Sequence, residues 1–231
     1  APSDAAKASF FIDFANLDVI YTPKFDPDRY ITGEYISYWD AGRKQYVGRD
    51  NQLSADTLNR WFRDDETAFR IYKNIDNYEL ALYGYNGFWK RPGGESLSGK
   101  AVFPSLNAYG FSARGKAGPG IGNIEFAYYQ SRDDESGENS NIDNSEIRWL
   151  VGYNRDLAKD FNAGIQFYVE QMLDYGDYRK SLAEIPARDR IRQVVTLQLT
   201  KLAFNQNLEL SLSSYFSPGD RDAYFRPDIV Y

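Results

Sequence analysis

The chain of 231 residues contains no cysteine and no histidine. Without cysteine there is no disulfide, no thiolate nucleophile and no thiolate metal ligand. Without histidine the Ser-His-Asp and Cys-His catalytic arrangements and the usual zinc sites are excluded. Lysine and arginine never gather into a basic stretch, and the formal net charge is −6. The clustered cations that grip a phosphate backbone are therefore missing, and no nucleic-acid partner is expected. There is also no run of about 18 apolar residues from which a transmembrane helix could be built. If such a chain crosses a membrane, a closed β-barrel is the form left to it.

What the sequence has in abundance is aromatic residues, 19 Tyr and 15 Phe, which favour strands. They fall into segments that alternate apolar and polar with period two. In one, Phe161, Ala163, Ile165, Phe167 and Val169 stand against Asn162, Gly164, Gln166, Tyr168 and Glu170. Leu208, Leu210, Leu212 and Phe216 oppose Glu209, Ser211, Ser213 and Tyr215. Similar alternation marks the segments around Ile124–Tyr128, Ile147–Tyr153 and Val195–Leu199. Weaker alternation near 15–21, 66–74, 78–89, 106–115 and 223–231 brings the expected number of strands to about ten.

The connections between these segments alternate long and short, and only the last long position is brief. The short ones carry turn chemistry, as in Asn74-Ile75-Asp76-Asn77 and the glycine-rich 115–122. The long ones carry charge, and the first, at about 22–65, is long enough to be a functional outer loop. Outer-membrane barrels show this asymmetry, with short periplasmic turns and longer outer loops. A soluble sandwich or lipocalin-like barrel shares the alternation. It would, however, have to bury the many ionisable residues on the polar side of each segment, which is costly without water. The fold expected is all-β, an antiparallel up-and-down transmembrane barrel. No linker divides the chain, so 1–231 reads as one domain.

Four stretches also carry a family resemblance: Phe25-Asp26-Pro27-Asp28-Arg29-Tyr30, Arg60-Trp61-Phe62-Arg63-Asp64-Asp65-Glu66, Tyr78-Glu79-Leu80-Ala81-Leu82-Tyr83-Gly84-Tyr85 and Thr200-Lys201-Leu202. They resemble segments of uncharacterised porin-like outer-membrane proteins of Gram-negative bacteria. The resemblance implies a barrel in the cell outer membrane, with lipid and lipopolysaccharide as surroundings, and names no solute. It also implies a longer chain with further strands on both sides. Tyr231 has the aromatic character of a final barrel strand, but Pro227 interrupts that segment, so an incomplete barrel is expected.

The motifs that suggest other chemistry are weak. Gly94 to Lys100 has P-loop spacing, yet Ala101 replaces the Mg²⁺-binding hydroxyl and Pro104 stands where a helix should open. The acidic run Asp133, Asp134, Glu135, Glu138 and Asp143 lacks EF-hand spacing and reads as a solvated loop. A looser role, sharing divalent cations with lipopolysaccharide phosphates, remains open to it. Catalysis by a carboxylate pair such as Glu79 with Glu125 has no spacing to support it. No enzyme activity, cofactor or dedicated metal is expected.

The functional candidates are the charges on the polar side of the strands: Arg70, Glu79, Arg114, Glu125, Arg148, Glu170, Arg192, Glu209, Arg226 and Asp228. Lining a channel, they would set a field that selects small hydrophilic solutes or saccharides. Paired with one another in a narrow barrel, they would form a plug, leaving the outer loops to bind a partner. In the long connection, Arg29, Tyr30, Tyr35, Tyr38, Trp39, Arg43, Arg49, Trp61 and Arg63 could constrict a pore, stack on a sugar or cover the surface.

Overall fold

The computed structural model describes residues 4–40, 45–182 and 187–231. Eleven strands form one sheet: β1 (Ala6–Ile12), β2 (Ala15–Thr22), β5 (Glu66–Ile75), β6 (Tyr78–Phe88), β9 (Ser105–Ala117), β10 (Gly120–Ser131), β11 (Glu146–Ala158), β12 (Phe161–Met172), β13 (Ile191–Ala203), β14 (Leu208–Ser217) and β15 (Asp222–Val230). Each is antiparallel to the strand before and after it, without crossover. Two small hairpins, β3 (Tyr38–Asp40) with β4 (Gln45–Val47) and β7 (Gly94–Glu95) with β8 (Ala101–Val102), and one short helix, α1 (Tyr175–Ser181), lie in the long connections. Among the described residues the sheet is open: β1 bonds only to β2, and β15 only to β14.

The ten segments read from alternation correspond to β2, β5, β6 and β9 to β15. The eleventh strand, β1, was not among them. In Phe10-Phe11-Ile12 three apolar residues run together, which hides the period. The backbone nevertheless pairs along the whole of β1, from Ala6 opposite Tyr21 to Ile12 opposite Ala15.

Register turns the alternation into two faces. Phe10, Leu17, Ile71, Leu82, Phe111, Phe126, Trp149 and Val169 form one cross-strand row. On the opposite face the neighbouring row reads Asp18, Arg70, Tyr83, Gly110, Ala127, Arg148, Glu170, Arg192. Most positions keep this division, with exceptions on the apolar side such as Gln193 opposite Val169, Lys73 opposite Leu80 and Asn107 between Asn86 and Gln130. The only register shift among the described residues lies in the β11–β12 ladder, between Asp156 and Ala158 beside the turn. The apolar face is uncovered: Leu82, Ile124, Ile165 and Phe225 are all more than a third exposed.

The two ends of the sheet differ. Short turns join β1 to β2 (Asp13, Phe14), β5 to β6 (Asp76, Asn77), β9 to β10 (Gly118, Pro119) and β11 to β12 (Lys159, Asp160). Asp76, Gly118 and Asp160 take positive φ values of 51°, 57° and 56°, as tight hairpins require and as Asp and Gly tolerate. The connections 23–65, 89–104, 132–145 and 173–190 all lie at the other end.

Those long connections hold a core of their own. Phe25, Val47, Trp89, Ala101, Phe103 and Tyr178 are buried, and all belong to them. Phe25 meets Phe88 edge-on at 5.4 Å and Phe103 at 5.0 Å. Backbone bonds stitch one connection to the next: Asp28 N–H donates to Lys90 O, Ala101 N–H to Ser54 O, Glu95 N–H to Asn141 O and Leu173 N–H to Ser145 O. Chains that must leave the ladder thus find other partners for their backbone groups.

Asp64 fastens this layer to β5. It is 1% exposed, and its carboxylate accepts bonds from the Arg60 backbone N–H at 2.8 Å and from Arg60 Nε and Nη2 at 3.1 and 2.7 Å. Its own carbonyl accepts the Phe25 N–H at 2.6 Å. The Arg60 bonds hold the Asp64 carboxyl below its ordinary value of 3.8. A depressed carboxylate contributes stability that is fully present above its unfolded value and is lost as pH falls through the folded one. Protease nicking within 23–65 should therefore rise as pH is lowered below about 3.8, and Asp64→Ala should raise it already at pH 7. Equal nicking of wild type and variant at neutral pH would contradict this role.

Candidate functional site

All ten polar-side candidates fall on one face of the sheet, but they do not form one group. Arg148 (β11), Glu170 (β12) and Arg192 (β13) stand in a single register row. Arg148 Nε lies 3.8 Å from Glu170, and Arg192 Nη1 lies 3.3 Å from it. Arg70 Nη2 donates to Glu79 at 2.7 Å, from β5 to β6. The other five, Arg114, Glu125, Glu209, Arg226 and Asp228, are on the same face without an ion pair among the described residues; Glu125 accepts a 3.3 Å bond from Asn123 Nδ2.

Residues outside the candidate set complete the Arg148 cluster. Arg148 Nε donates to Glu146 at 2.6 Å, two residues along its own strand. The guanidinium also lies over the Tyr129 ring, 4.1 Å from its centroid, while Trp89 stacks with that ring at 5.6 Å. Tyr168 donates to Glu170 at 2.8 Å, and Arg192 Nη2 donates to the Tyr215 hydroxyl at 2.7 Å. Arg192 Nε reaches Asp220 at 3.4 Å. Asp220 lies between strands, where the Ser217 hydroxyl and then Arg192 hold its carboxyl below the ordinary range against the opposing effect of burial. Glu146, Tyr168 and Tyr215 share the polar side in the sequence. That parity was the available signal, and the partner on the next strand was the missing one.

The cluster borders a cleft of about 620 Å³ at the long-connection end, lined on its other side by Arg91, Asp143, Arg188 and Arg190. Asp143 accepts from Arg188 at 2.5 Å, and the Tyr178 hydroxyl accepts the Arg188 N–H at 3.2 Å. The Asp143–Arg188 pair of loop residues shares the cleft with the strand charges Glu146, Glu170 and Arg192. A second concavity, about 370 Å³, lies on the same face beside Tyr83, Gly110, Ala127 and Tyr168.

The remaining sequence motifs have structural places. Gly94 and Glu95 pair with Val102 and Ala101 in the β7–β8 hairpin, and Lys100 bridges to Asp56 at 2.8 Å. No helix follows, so the P-loop geometry is not formed. Within the acidic run, Asp134 accepts the Glu138 and Asn139 N–H groups inside its own loop, and Asp133 accepts the Ser105 N–H at the start of β9. In the first long connection, Tyr35, Trp39 and Trp61 are exposed, and Arg43 lies outside the described residues.

The split among the ten candidates predicts unequal costs. Glu170→Ala removes the carboxylate shared by Arg148, Arg192 and Tyr168, and should destabilise by about 1.5–3 kcal/mol. Glu209→Ala and Asp228→Ala should fall within about 0.5 kcal/mol of wild type. Denaturant unfolding of the three variants checks the ordering, and equal losses would refute it. Comparison of the chain with family models, with curated proteins and with solved structures returns no match.

Proposed function

We propose that this chain forms wall of an outer-membrane β-barrel whose polar face lines a passage for small hydrophilic solutes or saccharides. The observation that carries the proposal is the uncovered apolar face. In a soluble sandwich the apolar faces meet and the polar faces meet water. Here the buried apolar residues are concentrated in the connections, while apolar rows on the sheet stay exposed from Phe10 in β1 to Ile229 in β15. Soluble monomers rarely leave apolar patches of more than a few hundred Å² in contact with water. Lipid is the surrounding that removes the cost.

Dimensions and edges support the same reading. β5, β6 and β9 to β14 are 10 to 13 residues long, enough to cross the hydrocarbon layer at a tilt. At the short-turn end of the apolar face, the hydroxyls of Tyr78 and Tyr153 donate to the carbonyls of Lys116 and Ala117. Rings in lipid with hydroxyls toward the turns are what an interfacial aromatic belt requires. The long connections then face outward, toward lipopolysaccharide.

A second reading has its own observation. The exposed pairs Trp39–Tyr46 and Trp61–Phe62 in the first long connection suit a barrel that binds a partner from outside, its lumen closed by the paired charges.

Full-length protein reconstituted in a planar bilayer should give discrete conductance steps. Their absence from a folded, heat-modifiable barrel would favour the second reading. Ile165→Arg, on the apolar face, should cost about 2–4 kcal/mol of folding free energy in lipid, as charges at mid-membrane do. Its strand neighbour Gln166→Arg, on the polar face, should be tolerated. If both are tolerated equally, the lipid-facing assignment fails.

A further inference from the structure

On the polar face, one register row across β6, β9, β10 and β11 reads Tyr83, Gly110, Ala127, Arg148. Two residues with almost no side chain stand between two large ones. The gap is the concavity of about 370 Å³, a size that takes a small ring-shaped molecule. Its floor cannot be raised at Gly110 without a shift of backbone, because a Cβ there would sit 2.8 Å from the Phe126 carbonyl oxygen.

The walls are aromatic and the polar groups are placed at their edges. The Tyr83 hydroxyl is within 3.0 Å of Ser112 Oγ, so its side chain leans from β6 across to β9, over the strand that carries Gly110. Tyr168 lines the far side, its hydroxyl fixed by Glu170. Glu125 also lines the concavity. Among the described residues its one hydrogen bond is the 3.3 Å bond from Asn123, which leaves a carboxylate with room for two or more donors beside the space.

Charge decides between ligand classes. Arg148 is the one cation among the lining residues, and Glu146 and Glu170 already answer it. An anion would find no cation to spare. A cation would pair with Glu125 but would find the flanking ring faces taken, since the Tyr129 ring carries the Arg148 guanidinium and Trp89 and the Tyr83 ring lies 5.8 Å from the Arg70 guanidinium; choline is therefore the competing probe. An uncharged ring with C–H groups for the aromatic walls and hydroxyls for Glu125 and Ser112 satisfies what remains, since ring faces are negative and C–H edges positive.

We propose that this concavity is a binding site for one neutral pyranose unit. The site rests on the reading that the polar face borders water in a passage. It makes that passage saccharide-selective at a single point rather than by general polarity.

Two measurements on the same full-length protein test it. In detergent micelles, equilibrium dialysis with radiolabelled glucose should show saturable uptake with a Kd on the order of millimolar. Ala127→Leu, which fills the floor, should weaken uptake at least about tenfold, and Glu125→Gln should weaken it severalfold. Tyr83→Ala serves where Ala127→Leu fails to give a heat-modifiable barrel. Tighter binding of glucuronate or choline than of glucose would overturn the proposal. So would no saturable glucose uptake, or uptake unchanged in both Ala127→Leu and Tyr83→Ala. Bilayer conductance separates the two ideas: a conducting protein without glucose binding refutes the site alone, and glucose binding without conductance supports the site and refutes the passage.

Discussion

Backbone hydrogen bonding between neighbouring strands is the constraint from which the rest of this molecule follows. Along ten antiparallel ladders each residue is paired with a fixed partner, and because side chains alternate, that partner lies on the same face. A slip of one residue in any ladder would carry charges onto the apolar face. The irregularity at Asp156 and Ala158 is harmless because it lies next to a turn, beyond the rows that matter. The same pairing that segregates lipid-like from water-like residues also brings Arg148, Glu170 and Arg192 into line from three strands.

Energetically the structure divides into two regions. Its sheet buries little apolar surface within the chain, so its stability in isolation would rest on the ladders and on polar-face contacts such as Arg70 with Glu79. The long connections instead pack in the manner of a small globular domain, with Phe25 among Phe88 and Phe103 and with Asp64 satisfied by Arg60. Glu66 joins the regions: it sits at the start of β5, accepts the Tyr85 hydroxyl at 2.5 Å and is paired with Lys90 from the next long connection. Such contacts hold the long connections against the ends of the strands.

The strands were legible because alternation over ten or so residues is a strong signal, and the faces were legible for the same reason. β1 was not, since Phe11 stands on the polar side between Phe10 and Ile12. The core of the connections was hidden too: Phe25, Trp89, Phe103 and Tyr178 follow no period, and only their positions in space reveal that they belong together. For the charged residues, parity gave the face of Glu170 but not its partners, which depend on the offset between strands set by turns such as Lys159-Asp160. The small residues Gly110 and Ala127 passed unremarked because a gap is visible only once its neighbours are known.

The alternation of direction along the sheet has an arithmetic of its own. Since each strand reverses the one before, the first and the eleventh point the same way: β1 runs from the long-connection end toward the short turns, and so does β15. Joined directly, these two edges would make a parallel seam in an otherwise antiparallel wall. An all-antiparallel ring needs an odd number of additional strands between them, whether from the same chain or from another copy, and bacterial single-chain barrels have even totals. Twelve is then the smallest uniform ring this sheet can complete, wider than the eight-stranded barrels whose interiors side chains fill. The direction of one short strand, Ala6–Ile12, thus bears on whether the charged face encloses water.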